Sequence, residues 1–453
     1  MSGDFSYKTN LNPDHNSFKF SRYRYINSEN DEENEGDNNG FDINNFQISQ
    51  IFENLNNIHL NEDKKLTLAS LEFLEFFTHN EDLKIYLTDH SLFEQIFKIV
   101  TNFIISNKVE PIYHQYGLKI INNMMESSEN IAVEVIEQYF QICTEFLKNY
   151  LPNLNENQSI LLECLSLLLT LAKIYRGNPK DFYNQIKSFL ILIFNANPKI
   201  PILINSSFNI LSQLYKNDFN IYELFLADGL LALCFDYMTS HFCFESASHF
   251  LGLISVSSQK AFNLFPSNYK DLFFAFLNDQ NDSIIISTIK LISKLSLNQY
   301  FPDSILTDRR ILPMLLSYNE RSLEVKKQAI ELFTTYMGDA TIYPRISYIF
   351  DEYEDLDFFC DYLELQNLPV SQCIVDCLMR ISDIKDHNAP LPEIFMKLLN
   401  SHSLMEKLRE LSEDESYPTL NEAVWYVLSN CEAEIERYGL AQNQNQNQND
   451  EDD

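Results

Sequence analysis

The stretch ILPMLLSYNERSLEVKKQAIELFTTYM, from Ile311 to Met337, contains two apolar segments separated by a polar bend. In the second segment, Ala329 is followed by Phe333 four residues later and by Tyr336 seven residues later. This spacing places all three residues on one face of an α-helix. The pattern predicts two amphipathic helices, and each must bury its apolar face against other parts of the chain.

The same pattern recurs eight further times along the chain. We call its first residue the anchor; it is small in most cases and is followed by apolar residues at positions +4 and +7. The anchors are Ala69, Gly117, Cys164, Ser207, Ala247, Thr288, Ala329, Ile374 and Ala423. Successive anchors lie 40 to 49 residues apart, which is the period of stacked two- or three-helix units.

The repeat predicts how the apolar faces are buried. Each helix pair is expected to pack against the equivalent pair of the next unit, and a small anchor lets neighbouring backbones approach closely. The residues predicted to lie in the core are the anchors Ala69, Cys164, Ala247 and Ala329 and the +4 residues Leu168, Leu251, Ile292 and Phe333. The fold class that follows is all-α.

Three segments carry a resemblance to a known family. FLADGLLALCFDYM, LTDRRILPMLLSYNERSLEVKKQAIELFTTYM and NEAVWYVLSN resemble armadillo repeats, in which a short first helix and a turn precede two longer antiparallel helices. The resemblance implies a right-handed α-solenoid superhelix of about nine armadillo-like units. Gly229 resembles the family's turn glycine, although Ser91 and Arg310 stand in the matching places of other units. The long first two gaps leave a HEAT-like two-helix variant open there.

Breakers and composition predict three regions along the chain. Residues 1–45 are expected to form a disordered arm, because the stretch SENDEENEGDNNG within it is polar and charged. The helical repeat domain is expected over residues 46–439, and Gly439 is expected to end the last helix. Residues 440–453 form a Gln/Asn-rich acidic tail, which is also predicted to be disordered.

Charge and cysteine content restrict the partners and the compartment. The net charge of -32 opposes direct binding to nucleic acid or to an anionic membrane, because both require a cationic surface. No apolar run is long enough to span a bilayer. The eight cysteines lie mostly in apolar helical segments and are interpreted as buried free thiols of a reducing compartment. We expect a cytoplasmic or nuclear monomer.

No motif for catalysis, a cofactor or a metal is apparent in the sequence. There is no G-x-G-x-x-G, no Walker A loop and no G-x-S-x-G, so we expect no enzymatic activity and no cofactor. Cys373 and Cys377 lie four residues apart with His387 nearby, but a structural zinc site requires four ligands. His241, Cys243 and His249 fall in a segment that is interpreted as a largely buried helix.

The resemblance also implies which residues face a groove, since armadillo proteins present the +2 and +6 positions of the third helix there. In this chain those positions include Lys290, Lys294 and Arg380, and Lys327 lies one turn before Glu331. A basic strip in an acidic protein would attract an extended acidic segment of a protein partner. Trp425, the only tryptophan, stands at +2 of the last unit and is a further candidate contact.

These observations favour a non-enzymatic scaffold or adaptor that holds an extended peptide segment in its groove. Three alternatives stay open at this point. One is an assembly chaperone of the proteasome's ATPase ring, which the stretch beginning FNLFPSNYKDLFFAFLN faintly resembles. The others are a nuclear-transport adaptor of the importin-α type and a HEAT-like subunit that positions a phosphatase or kinase. Importin-α-like members place Trp at +2 and Asn at +6 in several units, whereas Trp425 stands alone here, with Ser429 at +6.

Overall fold

The secondary structure of the described residues is helical and contains no strand. The computed structural model describes residues 43–60, 63–80, 90–105, 110–127, 133–256, 259–296, 308–337, 356–365, 367–383, 393–413 and 418–449. The chain divides into two compact units, Met1–Ser70 and Leu71–Asp453. In the described part of the chain, no helix is both long and apolar enough to cross a membrane.

The first unit contains helix α1 (Ile43–Leu60) and the start of α2 (Lys64–His79). Among the described residues, the second unit continues with nineteen α-helices. They are α3 (His90–Ile105), α4 (Pro111–Ser127), α5 (Val133–Tyr150), α6 (Gln158–Ile174), α7 (Pro179–Phe194), α8 (Pro201–Asn217), α9 (Tyr222–Ala227), α10 (Leu230–Thr239), α11 (Phe244–Ser255), α12 (Gln259–Phe262), α13 (Tyr269–Leu277), α14 (Asp282–Ser296), α15 (Ile311–Leu316), α16 (Leu323–Met337), α17 (Phe359–Leu363), α18 (Leu368–Ser382), α19 (Glu393–Asn400), α20 (His402–Ser412) and α21 (Pro418–Asn449).

Local sequence explains several helix boundaries. The Asn178 side chain accepts a hydrogen bond from the backbone N–H of Lys180 at 3.1 Å, and a proline follows it in the first turn of α7. Asn367 caps α18 in the same way by accepting from the N–H of Val370 at 3.3 Å. Gly229 separates α9 from α10 with φ of 75°, a conformation that glycine adopts without steric cost.

The helices that carry the anchors stack in sequence order through the second unit. In the series α4, α6, α8, α11, α14, α16, α18 and α21, each helix before α21 packs against the next one. Each also packs against the helix that precedes it within its own unit. This arrangement, in which consecutive units bury one another's apolar faces, is an all-α solenoid of the armadillo or HEAT kind.

The inner anchors are buried as the repeat predicts. All seven anchors from Gly117 to Ile374 lie in the core, and so do their +4 residues, which include Leu168, Leu251 and Phe333. Gly117 shows why a small anchor is needed, because a Cβ atom added there would overlap Cγ2 of Ile104 in α3. Close helix approach at the anchor is therefore an observed feature of the packing.

The register of the first and last anchored helices differs from the prediction by one residue. In α2 the prediction that Ala69 is buried is wrong, because Ala69 is only partly covered and the buried series is Ser70, Leu74 and Phe77. In α21 the partly covered Ala423 likewise gives way to a buried series, made of Val424, Leu428 and Cys431. Both helices carry two adjacent apolar series, and only packing against neighbouring helices selects one.

Buried tyrosines link consecutive units. The Tyr237 hydroxyl donates a hydrogen bond of 2.7 Å to the carbonyl oxygen of Phe194, the last residue of α7. Tyr318 donates over 2.7 Å to the carbonyl of Leu277, at the end of α13. Tyr362 in turn donates to a carbonyl near the end of α15 at 3.3 Å. Each bond satisfies a helix-terminal carbonyl that has no partner within its own helix.

The units are not all of one kind. Three-helix units are formed by α9–α11, α12–α14 and α19–α21. By contrast, α7 and α8 form a two-helix unit, because only residues 175–178 separate α7 from α6. The fold is thus ARM/HEAT-like rather than armadillo throughout. Residues 1–42 and 450–453 lie outside the described residues, so the disorder predicted for them stays a prediction. Helix α21 continues beyond Gly439, where the last helix was expected to end, and reaches Asn449.

Candidate functional site

The +2 and +6 positions form a solvent-facing stripe on most of the anchored helices, with the buried Thr170 at +6 of α6 as an exception. In α8, Asn209 and Gln213 are the only side chains between the anchor and position +7 that are not buried. In α11 the same is true of His249 and Leu253. In α14 and α18 the +5 position joins them. The stripe follows from helix geometry, because residues four apart lie on the same face.

Three of the predicted site residues line one groove. Helices α14, α16 and α18 enclose a space of about 460 Å³, to which α14 contributes Lys290 and Lys294 and α18 contributes Arg380. The predicted basic strip is interrupted there, because Glu331 of α16 and Asp376 of α18 line the same groove. In the part of the chain described, none of the three cations lies in an ion pair. The groove is therefore of mixed charge on its α16 and α18 sides.

Cations are concentrated on the α14 side of the groove and extend toward α8. The Lys294 ammonium group lies 3.0 Å from Nδ1 of His249, the +2 residue of α11. Lys216 of α8 and Lys290 are close enough to lower the pKa of Lys294 further, after partial burial, which is the main cause. We call Lys216, His249, Lys290 and Lys294 the lysine row.

The charges around the lysine row favour a neutral histidine. Partial burial lowers the pKa of His249, and the positive charges of Lys294 and Lys216 add to this effect. A neutral imidazole accepts a hydrogen bond at one ring nitrogen and donates one from the other. Since Lys294 can only donate, the 3.0 Å contact assigns Nδ1 of His249 as the acceptor and leaves its Nε2–H as a donor.

Gly252 makes room for this arrangement. A Cβ atom at Gly252 would lie 3.2 Å from Cδ of Lys294 and 3.3 Å from Cδ1 of Leu291. The aliphatic stem of Lys294 therefore lies against the backbone of α11, and its ammonium group reaches His249 from there. The sequence analysis did not identify Lys216, because this residue lies beyond the +2 and +6 positions, at the end of α8. Its place in the last turn of a neighbouring anchored helix is the sequence feature that could have identified it.

Lys327 and Trp425 lie apart from these groups. Lys327 is half-exposed on α16. Burial is the main cause of the raised thiol pKa of Cys373 in α18, and the positive charge of Lys327 opposes this rise. Trp425 is 55% exposed on α21. With the register given by the buried series of α21, Tyr426 takes position +2 and Asn430 takes +6, so Trp425 moves off the +2 position assigned to it from the sequence.

Two hydrogen bonds support the corrected register of α21. Asn430 Nδ2 donates to Ser382 Oγ of α18 at 3.3 Å. The equivalent +6 residue of α4, Asn123, donates to Thr78 Oγ1 of α2 at the same distance of 3.3 Å. In both pairs the acceptor stands eight residues after the buried anchor of the preceding helix, with Ser70 as the anchor of α2.

The stripe is acidic on its α2 to α6 side. Lys119 of α4 forms an ion pair with Glu75 at 3.3 Å. Partial burial raises the pKa of Glu163 in α6 to about 7; the charge of Lys119 opposes this rise and that of Glu75 adds to it. Carboxylates thus outnumber cations around Lys119. The stripe reverses its charge between these helices and the lysine row.

The structure does not assemble the histidines and cysteines into a metal site within the described residues. His241 and Cys243 lie in the turn between α10 and α11, with φ of 55° and 52°, so the prediction that they belong to a helix is wrong. Cys377 is buried, and burial raises its pKa to about 12. His387 lies outside the described residues. All eight cysteines are free thiols, and three of them are only partly buried.

Comparison with known proteins gives matches at the level of fold. No family model matches the sequence, and no curated protein matches it either. Among solved structures, importin beta aligns with a TM-score of 0.57 at 8% sequence identity, over 84% of this chain and 49% of that one. An engineered protein aligns at 0.49 and 11% identity, over 84% of this chain and 99% of its own. Yeast importin-beta aligns at 0.45 and 11% identity, over 86% and 53%.

The likeness to importin beta concerns the fold alone. The two chains share their helical stacking, but at 8% identity this similarity does not support a shared binding site. The chain spans about half the length of the importin-beta structures that it matches. Importin beta is a HEAT-repeat solenoid, which agrees with the two-helix unit of α7 and α8.

Proposed function

We propose that this protein is a non-enzymatic scaffold that holds an extended acidic segment of a protein partner along the stripe from α8 to α18. The observation that carries the proposal is the gathering of Lys290, Lys294 and Arg380 around one groove in a chain whose net charge is -32. An open groove between stacked helices suits an extended chain better than it suits a small-molecule reaction. The fold shared with importin beta supports a scaffold role in general terms.

The mixed charge of the groove predicts where the acidic residues lie along the bound segment. Acidic residues of the partner would lie over Lys290 and Lys294, while Glu331 and Asp376 on the α16 and α18 sides would favour a basic or neutral residue next to them. We therefore propose a segment whose acidic residues are clustered at one end.

Binding of a labelled acidic peptide tests this function. We would measure the fluorescence anisotropy of a fluorescein-labelled peptide of about twelve residues, rich in Asp and Glu at one end, at low and high salt. The double variant Lys290→Glu and Lys294→Glu should weaken binding by about tenfold or more, because each exposed ion pair contributes about 0.2–1 kcal/mol and reversal adds repulsion. High salt should weaken binding to the parent protein.

The control is Lys148→Glu together with Glu145→Lys on α5, where both side chains are exposed and lie outside the stripe. This pair leaves the net charge unchanged and should leave affinity unchanged. A single Lys148→Glu variant matches the charge change at one site and should have little effect. Affinity that is indifferent to salt and to both groove reversals would refute the proposed function.

We further propose that the chain acts as a monomer in a reducing compartment and binds no nucleic acid directly. The free thiols and the strongly acidic composition support these proposals. Light scattering after size-exclusion chromatography would give the molar mass, and a value near 53 kDa is expected. A mass near twice that value would contradict the monomer.

A further inference from the structure

The lysine row consists of donors contributed by three consecutive anchored helices. Lys216 comes from α8, His249 from α11, and Lys290 and Lys294 from α14, and these helices pack against one another in this order. Lys294 is half-buried, whereas the other three side chains are exposed. The row is thus an open shallow site on the solvent-facing side of the stack.

The row gathers positive charge on the α14 side of a groove whose other sides carry Glu331 and Asp376. Among the described residues, Lys216, Lys290 and Lys294 form no ion pair, and the charges that shift the pKa of Lys294 and His249 all belong to lysines. The chain has 65 acidic and 33 basic residues, so a group of three lysines that form no ion pair with a carboxylate is unusual for a chain of this composition. Their mutual repulsion lowers the stability of the free protein, and a bound anion would remove it.

The geometry favours one kind of anion. Nδ1 of His249 accepts a hydrogen bond from Lys294. The remaining polar groups of the row can therefore only donate hydrogen bonds, and these donors include the His249 Nε2–H. A carboxylate offers two oxygens and one negative charge. A phosphate monoester offers three terminal oxygens and a charge of about -1.5 to -2 at pH 7, which matches several donors and more than one uncompensated lysine.

We propose that the lysine row binds the phosphate group of a phosphorylated serine or threonine carried by the segment that occupies the groove. This proposal rests on the proposed function, since the groove lined by Lys290 and Lys294 continues directly into the row. Lys290 and Lys294 would contact both the acidic residues of the segment and the phosphate. Lys216 and His249 would contact the phosphate alone.

Three peptides of otherwise identical acidic sequence test the proposal. They carry serine, aspartate or phosphoserine at one central position, and their affinities for the full chain are measured by fluorescence anisotropy at about pH 7.5. The phosphoserine peptide should bind about tenfold more tightly than the aspartate peptide, because charge-assisted hydrogen bonds to several donors replace a single carboxylate contact. Lys216→Gln should remove most of this advantage and leave the affinity for the serine peptide within about twofold.

The control variant is Lys148→Gln, which makes the same change of charge on the exposed face of α5 and should preserve the advantage. Equal affinities for the phosphoserine and aspartate peptides would overturn the phosphate site while leaving the scaffold function standing. An advantage that survives Lys216→Gln would also overturn it, because the phosphate would then bind elsewhere. If none of the three peptides binds, the scaffold function itself fails, and the phosphate site with it.

Two competitors distinguish the source of the anion. Inorganic phosphate at about 1 mM should not displace the phosphoserine peptide, because a free phosphate lacks the contacts of the flanking segment. Complete displacement at that concentration would assign the row to small phosphates and overturn the proposal. A single-stranded oligodeoxynucleotide of about twelve residues that bound as tightly as the phosphopeptide would overturn it as well.

Discussion

The substitution Gly117→Ala tests the close approach of helices at the anchors. Two effects of opposite sign act at this position. Replacing glycine by alanine inside a helix stabilises it by about 1 kcal/mol, because the unfolded chain loses conformational freedom. The new methyl group would overlap Cγ2 of Ile104, which is 1% exposed, and would also come within 3.7 Å of Cγ1 of the buried Val100. Forcing a methyl group into such a packed site costs about 1–3 kcal/mol.

The net expectation for Gly117→Ala is a loss of about 0–2 kcal/mol in the free energy of unfolding. Gly252→Ala is the matched control, because its methyl group would meet Lys294 Cδ at 3.2 Å and Leu291 Cδ1 at 3.3 Å, and the flexible end of the lysine can move aside. Gly252→Ala should therefore stabilise the protein by about 0.5–1 kcal/mol. The two variants are expected to shift stability in opposite directions.

Urea denaturation followed by circular dichroism provides the measurement, with midpoints compared at constant slope. A double-mutant cycle with Ile104→Ala isolates the clash, because this change removes Cγ2 of Ile104. The coupling energy should be about 1–3 kcal/mol, with Gly117→Ala tolerated better in the Ile104→Ala background. A Gly117→Ala variant that is as stabilised as Gly252→Ala, with no coupling to Ile104, would refute the close-packing explanation of the anchors.

Further predictions concern the tyrosine links, pH and the central anchor. Tyr237→Phe should cost about 1–2 kcal/mol, because it leaves the buried Phe194 carbonyl without a partner, and an unchanged urea midpoint would contradict this. Burial raises the pKa of Glu163 from its ordinary value of 4.5 to about 7 in the folded protein, so stability should fall as the pH rises from 4.5 to 7. Glu163→Gln should then stabilise the protein at pH 8 but have little effect on the melting temperature near pH 4. Ala329→Leu should lower the free energy of unfolding by about 1–3 kcal/mol, since Ala329 is fully buried, and an unchanged melting temperature would count against it.

Helix type and stacking could be predicted from the sequence because they depend on periodic apolar residues. A face repeated every 40 to 49 residues has only one way to be buried, which is against the equivalent face of a neighbouring unit. Gly117, Cys164 and Ala247 are buried for this reason. The resemblance to armadillo repeats also identified the +2 and +6 stripe, and the residues there are exposed or partly exposed in most of the inner units, although Thr170 at +6 of α6 is buried.

The tertiary structure decided what depends on the relative placement of units. The registers of α2 and α21 were ambiguous in the sequence, since Ser70 and Val424 begin apolar series as suitable as those of Ala69 and Ala423. The lysine row was hidden as well, because Lys216 and Lys294 are far apart in the chain and meet only through the packing of α8, α11 and α14. A repeat pattern determines which face of a helix is buried, whereas the neighbours of an exposed side chain depend on the rotation of each unit against the next, which short-range periodicity does not encode.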